Sequence, residues 1–344
     1  MTAWIAGIAC AADPAPDVPT ITFLSREAAG EAIVLEKIEP YFSLLSALDM
    51  SAKTGSEITA GNRDAQLVEV KARYREAMRD FTDVEKEALT AALVRLQPTL
   101  KEHYPLLART PWSLIKKASS LEGGAHFTRE AHIVLSEQFP AAVVGAREKR
   151  KPDEVARMAL GLLLHEQCHV LQRLHPKLFV GMYAEFWKMQ HVEKIAGATW
   201  LDERNAVNPD GVDVNWIVAV KVKEGDAEVE RHVWPRILYK TTQGVPRMFA
   251  DMEMVLVDVE RADAGWRVKA GDDGTPSRQP LHKSAPFAAI FPHGNAYHPN
   301  EAAAAAIPAI ILADAFPQAA RPAPSQAMLD YEDRLRKWMR EKMK

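Results

Sequence analysis

The sequence has 344 residues, of which 47% are hydrophobic and 26% charged, and these fractions argue against a disordered or fibrous chain. Its 43 lysines and arginines nearly balance 46 aspartates and glutamates, so the net charge is −3 and there is no basic footprint for nucleic acid. Two cysteines exclude a disulfide-rich secreted scaffold, and the length suits two domains of roughly 150 residues or one large elaborated domain.

Residues 1–20 contain a short apolar run, from Ala3 to Ala12, followed by a stretch rich in proline and aspartate. This order is typical of the end of a signal peptide, although no lysine or arginine precedes the run. Two interpretations stay open: a signal peptide implies a periplasmic or extracellular protein, whereas a disordered tail is compatible with the cytoplasm. No other uncharged apolar run approaches the roughly 20 residues that a membrane span requires, so we expect no transmembrane segment.

Residues 21–120 are expected to form a helical N-terminal region, because residues 64–118 carry helical periodicity with charged faces. Thr82 and Glu85 have the spacing of a capping box, in which each side chain bonds the backbone N–H of the other residue. We interpret this region as structural.

Residues 121–344 are expected to hold the chemistry. Pro152 and two following acids predict the start of a helix, and the run to Leu174 is apolar nearly all round, which is typical of a buried helix. Alternating apolar runs within residues 206–270 predict a strand-rich insertion. Two further helices are expected, over about residues 300–314 and 327–344.

The predicted buried helix contains an H-E-x-x-H motif formed by His165, Glu166 and His169. Four residues at about 100° each return nearly to the same helix face, so both imidazoles can reach one Zn²⁺ ion. Glu166 lies beside them and can take a proton from a water molecule activated by the metal. Two histidines and a glutamate would be costly in so apolar a helix without partners, which favours a metal site.

A catalytic zinc ion usually has three protein ligands and one open position. Four residues are candidates for the third ligand, and the residue pattern leaves them open: His175, Glu185, Glu193 and Glu301. His175 lies about 120° from the metal face of an unbroken helix, and the two middle glutamates are expected on an amphipathic helix over residues 180–195. Glu301 begins an alanine-rich helix, whose small side chains would allow close approach to a neighbouring helix.

The segment from His165 to Pro176 resembles an uncharacterised bacterial family of gluzincin-type zinc metallopeptidases. Further segments fit in the same order: Pro111-Trp112, Gly124 to Arg129, Asn208 to Gly211, and His298 to Glu301. The resemblance covers roughly residues 110–315. It departs from the family at Cys168, in the alanines after Glu301 and in the long separation between His169 and Glu301.

The resemblance implies an α+β fold with a zincin-like catalytic domain, in which the active-site helix packs beside a small mixed sheet. It also implies that His165, His169 and Glu301 bind Zn²⁺ and that Glu166 is the general base of a peptidase. The segment from Phe127 to Leu135 would be an edge strand, at which Thr128 and Arg129 could contact a peptide or protein substrate. Tyr297, His293 and His298 would be candidates for stabilising an oxyanion.

An alternative of a different class stays open. The chain could be a non-catalytic, zincin-like binding or scaffold protein, with structural zinc or none. Four protein ligands around the metal would favour that function, and an open position for water would favour the enzyme. The sequence leaves the substrate and the oligomeric state undetermined.

Overall fold

The computed structural model describes residues 16–263, 265–294, 297–319 and 324–344. The described residues form these helices: α1 (Arg26–Ile33), α2 (Ala47–Thr54), α3 (Arg63–Glu76), α4 (Asp83–His103), α5 (Pro105–Arg109), α6 (Gln138–Arg147), α7 (Pro152–Leu174), α8 (Pro176–Trp187), α9 (Thr199–Asp202), α10 (Ala285–Ala288), α11 (Pro299–Ala315) and α12 (Gln326–Lys342). They also form these strands: β1 (Ile21–Phe23), β2 (Met78–Arg79), β3 (Trp112–Lys117), β4 (Phe127–Arg129), β5 (His132–Ser136), β6 (Met189–His191), β7 (Ile195–Ala196), β8 (Trp216–Glu224), β9 (Ala227–Tyr239), β10 (Met252–Ala262), β11 (Gly265–Val268) and β12 (Arg278–Pro280). Short 3₁₀ turns lie at Phe42–Leu44, Leu121–Gly124 and Leu281–Lys283.

The first sheet is small and mixed, with the strand order β1-β3-β5-β4. Strands β1, β3 and β5 are parallel, whereas β4 runs antiparallel to β5 and forms one edge. Strand β2 also pairs with β3, in the antiparallel sense. The boundary that we expected near residue 120 therefore falls between strands of a single sheet.

The second sheet has the order β6-β8-β9-β10-β11-β7, and β12 pairs with β10. Its long strands alternate between two apolar clusters: Ile217 and Trp234 face one, whereas Val218 and Val233 face the other. Alternate burial of this kind follows from the two-residue period of a strand. The predicted strands within residues 206–270 are present, and the sheet also recruits residues 189–196 and 278–280.

The largest apolar cluster joins α4, α7, α8, α11 and α12 to both sheets. Helix α7 begins at Pro152 and buries nearly all of its C-terminal half, as its apolar pattern predicts. Helix α11 packs against α7 through buried alanines, which allow two helix backbones to approach closely. The Thr82–Glu85 capping box at the start of α4 is present.

The mixture of helices and sheets is consistent with the expected α+β class. The amphipathic helix expected over residues 180–195 is wrong: α8 ends at Trp187, Lys188 adopts a left-handed conformation, and β6 and β7 follow. Of the expected N-terminal signal or tail, residues 1–15 lie outside the described residues. Pro16 and Thr20 accept hydrogen bonds from Gln97 and Trp112. No helix in the described parts of the chain is long and apolar enough to cross a lipid bilayer.

Candidate metal centre

Helix α7 brings the two histidines of the H-E-x-x-H motif together on one face. The Nε2 atoms of His165 and His169 lie 3.2 Å apart, and their rings meet edge to face. The His169 side chain is 1% exposed, whereas that of His165 is 25% exposed. This difference places His165 toward the opening of the site and His169 in its interior.

Helix α11 brings Glu301 to the same point from its first turn. The Glu301 Oε2 atom lies 3.4 Å from His165 Nε2, and Oε1 lies 3.8 Å from His169 Nε2. One ligand atom from each of the three residues lies within 4.8 Å of the others. The two helices also touch at Ala304, whose backbone carbonyl oxygen lies 2.9 Å from His165 Nδ1. A small side chain at this position allows the helices to come so close.

The outer hydrogen bonds orient both imidazoles. His165 Nδ1 faces the carbonyl of Ala304, and His169 Nδ1 faces Gln172 Oε1 at 2.7 Å. Because each Nδ1 faces an acceptor, it carries a proton, and each Nε2 turns toward Glu301. Histidines that bind metals almost always donate their second N–H in this way. The donor set and its outer bonds therefore fit a divalent metal ion.

Asn208 also binds the carboxylate of Glu301. The Asn208 amide donates to Glu301 Oε1 at 2.8 Å and to the Tyr297 hydroxyl at 3.2 Å. Asn208 belongs to the turn before β8, and its own Oδ1 accepts the backbone N–H of Asp210. The turn therefore connects the second sheet to the candidate ligand.

Hydrogen bonds link the turn that contains Asn208 to both helices that carry the candidate ligands. Asn300 donates to the backbone carbonyl of Asp210 at 2.7 Å, and Gln172 donates to the carbonyl of Asn300 at 2.9 Å. Arg173, one turn beyond His169, donates to the Pro209 carbonyl and to Thr128 Oγ1. These bonds lock the positions of α7, α11 and β4 relative to one another.

Glu166 is 3% exposed and lines a pocket together with His165 and Glu301. Its Oε2 atom is buried and has no hydrogen-bond partner among the described residues. Burial, with the charges of Asp210 and Glu301, raises the pKa of Glu166 well above its usual value. An unpaired buried carboxyl beside a candidate metal site is suited to exchanging a proton there.

The three candidate ligands titrate in different directions. Burial opposes ionisation of Glu301, but the charge of His169 and the hydrogen bond from His165 lower its pKa well below normal. Burial lowers the pKa of His169 below its usual value. Burial has the same effect on His165, but its bond to Glu301 outweighs it and raises the pKa. Because a metal ion binds an unprotonated imidazole nitrogen, protons and a metal ion would compete for His165.

Of the four candidates for the third ligand, Glu301 is the one that joins the two histidines in the described parts of the chain. His175 ends α7 and precedes Pro176, and it is not part of the group. Glu185 and Glu193 are exposed, one on α8 and the other between β6 and β7.

The edge strand β4 holds the predicted substrate residues Thr128 and Arg129, and both are fully buried. Thr128 donates its backbone N–H to Asp210 at 2.8 Å, so this position has no free donor for an added strand. The Arg129 guanidinium stacks on Tyr41 and donates to the carbonyl of Leu35. Neither side chain lines the pocket beside the metal group.

The structure separates the three predicted oxyanion residues that precede Glu301. His293 does not line the pocket and instead packs against the ring of Tyr331, with the ring centroids 5.7 Å apart. Tyr297 lines the pocket beside Glu166 and Glu301. Burial and the charge of Glu301 raise its pKa well above normal, so the phenol keeps its proton and can donate. His298 instead caps α11: its Nδ1 accepts from the Asn300 N–H, and its Nε2 bonds the Asp213 carbonyl at 2.8 Å.

Sequence reasoning missed the residues that support the ligands, namely Gln172, Arg173, Asn208, Asp210 and Asn300. The segment from Asn208 to Gly211 belongs to the resemblance, but the sequence does not predict a contact between Asn208 or Asp210 and the ligands. Gln172 lies three residues after His169, a helical spacing that could have suggested a contact. The contact between Asn208 and Glu301 spans 93 residues and had no local signal.

The fold and site thus define a protein of mixed α and β structure with a His-His-Glu group that could hold a metal ion. Comparison of the chain with protein-family models, with curated proteins and with solved structures gave no match.

Proposed function

We propose that this protein is a zinc-dependent hydrolase, most specifically a metallopeptidase with a zincin-like catalytic domain. The observation that carries the proposal is the convergence of His165, His169 and Glu301, with the unpaired Glu166 carboxyl beside them. Each comes from the motif or the helix start that resembles the gluzincin-type family. The mixed sheet with its antiparallel edge strand β4, next to α7, supports a zincin-like architecture.

The chemistry of the donor set supports zinc over other common ions. Two imidazole nitrogens and one carboxylate oxygen are a known ligand set of catalytic zinc, whereas magnesium and calcium take mainly oxygen ligands. Three protein ligands also leave a fourth position for water. When bound, zinc would lower the pKa of a water molecule and polarise a substrate carbonyl.

Three side chains of the chain would then carry out the remaining steps. Glu166 would take a proton from the attacking water and return it to the leaving amine. Tyr297 would donate from its hydroxyl to the oxygen on which negative charge develops. Asn208 would keep the Glu301 carboxylate oriented toward the two histidines.

The alternative, a non-catalytic zincin-like scaffold, would be favoured by a closed site with four protein ligands. The metal-ligating group in the described part of the chain has three members, which supports an open position and hence the enzyme.

The test is the Glu166→Gln variant, compared with wild type on a generic unfolded protein substrate. Glutamine has nearly the same size but cannot accept the proton, so we expect about one zinc ion per chain in both proteins and a loss of hydrolysis of at least about 100-fold in the variant. Elemental analysis and a chelator-sensitive peptidase assay measure the two quantities.

The matched control is Glu154→Gln, the same change at an exposed glutamate in the first turn of α7. It should retain both zinc and activity. Full activity in Glu166→Gln would overturn the proposed role of Glu166, and zinc-free wild-type protein after zinc reconstitution would overturn the proposed metal site.

A further inference from the structure

The pocket beside the metal group has a volume of about 170 Å³. His165, Glu166 and Glu301 form one part of its lining, so a group in this pocket lies next to the reacting atoms of the proposed hydrolysis. Pockets that enclose whole drug-sized ligands measure about 300–1,000 Å³, whereas an apolar cavity of about 150 Å³ holds benzene. The volume therefore suits one ring-sized side chain.

A second part of the pocket lining is apolar and comes largely from the second sheet. Ile237 lies in β9, and Met252 begins β10. Met248 and Phe249 lie in the loop between these strands, and Phe127 begins β4. Methionines and aromatic rings favour contact with aromatic or long apolar groups, and methionine adapts to irregular shapes.

A buried ion pair also lines the pocket. Lys53 and Glu122 are each 1% exposed, and the Lys53 Nζ atom donates to Glu122 Oε2 at 2.9 Å. The Asp49 carboxylate lies 3.9 Å from the same Nζ atom. Lys53 and Glu122 therefore balance each other's charge. The two nearby aspartates already have partners in the protein: Asp49 accepts from Tyr239 and Val207, and Asp210 accepts from Thr128 and lies 3.6 Å from Arg173. A charged side chain would pay for its desolvation here without gaining a partner.

Two of the four non-glycine residues with positive φ in the described parts of the chain line this pocket. Glu122 has φ 51° and Phe249 has φ 67°, although neither is a glycine. Gly123 follows Glu122 in the 3₁₀ turn, and a Cβ atom there would lie 2.5 Å from Met248 Cβ. The loop before β10 is therefore in direct contact with this turn. Strained residues persist where the surroundings hold them, and they cluster at ligand-binding sites.

We propose that this pocket is a specificity subsite, which takes one neutral aromatic or long apolar side chain of the substrate residue beside the cleaved bond. This inference rests on the proposed function, because it assigns the pocket to the same metal site. The volume sets the size of the side chain, the apolar wall sets its character, and the compensated Lys53–Glu122 pair excludes charge.

The experiment measures binding of N-acetyl amino-acid hydroxamates to the zinc-loaded full-length protein by isothermal titration calorimetry. The hydroxamate group chelates zinc in every probe, and only the side chain varies, among glycine, phenylalanine, leucine, aspartate and lysine. We expect the phenylalanine and leucine probes to bind at least about 10-fold more tightly than the glycine, aspartate and lysine probes.

Two variants test the pocket wall. Met248→Ala and Phe249→Gly should each reduce the advantage of the phenylalanine probe over the glycine probe several-fold. Glycine accepts the backbone conformation of Phe249, so the fold is retained. The matched control is Lys188→Gly, which relieves the same left-handed conformation at an exposed residue that does not line the pocket, and it should leave the preference unchanged.

Equal affinity for all side chains, a preference for a charged probe, or a preference that survives both wall variants would overturn the subsite. Absence of binding by every probe would overturn it together with the metal site. The peptidase assay separates the two proposals: a side-chain preference in a protein that cleaves no peptide supports the subsite and contradicts the hydrolase, whereas cleavage without any preference does the reverse.

Discussion

The carboxylate of Glu301 is held in place by single residues that are distant from it in the sequence. Its oxygens lie 3.4 Å from His165 Nε2 and 3.8 Å from His169 Nε2, and Oε1 accepts from the Asn208 amide at 2.8 Å. The outer bonds of His169 to Gln172 and of Gln172 to Asn300 return to the helix that carries Glu301. At the scale of residues, a connected series of hydrogen bonds therefore surrounds the candidate metal position.

Replacing Asn208 by alanine removes the bond that orients Glu301 toward the histidines. Outer-shell partners of this kind typically contribute 10–100-fold to metal affinity, so we expect the zinc affinity of Asn208→Ala to fall by about that factor. Competition with a chromophoric chelator measures the affinity. Asn215→Ala, in the same connecting segment but outside the metal group, is the control and should retain wild-type affinity. Unchanged affinity in Asn208→Ala would show that its bond to Glu301 has no role in metal binding.

The contact between α7 and α11 decides, at the scale of elements, whether the ligands meet. Ala303 and Ala304 are buried against the larger apolar cluster, and the Ala304 carbonyl reaches His165. A larger side chain at this interface would push α11 away from α7. Since Glu301 lies one turn earlier on α11, the metal group depends on this close packing.

The Ala304→Leu variant should therefore lose stability and metal affinity together. Overpacking a filled core costs about 1–3 kcal/mol, and displacement of Glu301 should weaken zinc binding by at least about 10-fold. Urea unfolding and chelator competition give the two values. Ala309→Leu, the same change at a half-buried position of α11, should affect both much less. Equal effects of the two substitutions would contradict the importance of this contact.

At the scale of the whole molecule, the first sheet joins the helical N-terminal region to the part that bears the motif. His126 lies in the connection before β4, and its Nδ1 accepts the backbone N–H of Ser136 in β5 at 3.1 Å. Burial and the charge of Lys117 lower the pKa of His126 from 6.5 to about 4. The folded protein thus keeps this ring neutral at pH values where the unfolded chain protonates it.

This difference makes the stability of the protein depend on pH. The contribution of the neutral His126 ring to the free energy of unfolding is fully present above pH 6.5. It is lost as the pH falls to about 4, because the unfolded chain then binds the extra proton. His126→Asn keeps an acceptor for Ser136 but does not titrate. We expect wild type to lose about 2 kcal/mol relative to this variant between pH 7 and pH 4, a value that allows for solvent screening of the half-buried ring. Urea unfolding at both pH values measures it, and a constant difference would contradict the lowered pKa.

The sequence by itself determined the features that depend on local spacing. The apolar pattern of α7 and its first residue, a proline, predicted a buried helix, and the H-E-x-x-H spacing placed two histidines on one face of it. The helix that begins at Pro299 was predicted in the same way. Helical periodicity and proline act over a few residues, so they are visible in one segment. The helix over residues 180–195 failed because its apolar residues also suit the strands β6 and β7, which are stabilised by pairing with distant strands.

Tertiary structure alone decided which residues meet the motif. The selection of Glu301 among four candidates, its bond to Asn208, and the pocket formed by Lys53, Glu122 and Met248 all join segments separated by tens to hundreds of residues. The tertiary structure also buries Thr128 and Arg129, and it places His298 at the N-cap of α11. Such contacts depend on the packing of whole helices and sheets, and the spacing within one segment carries no information about them.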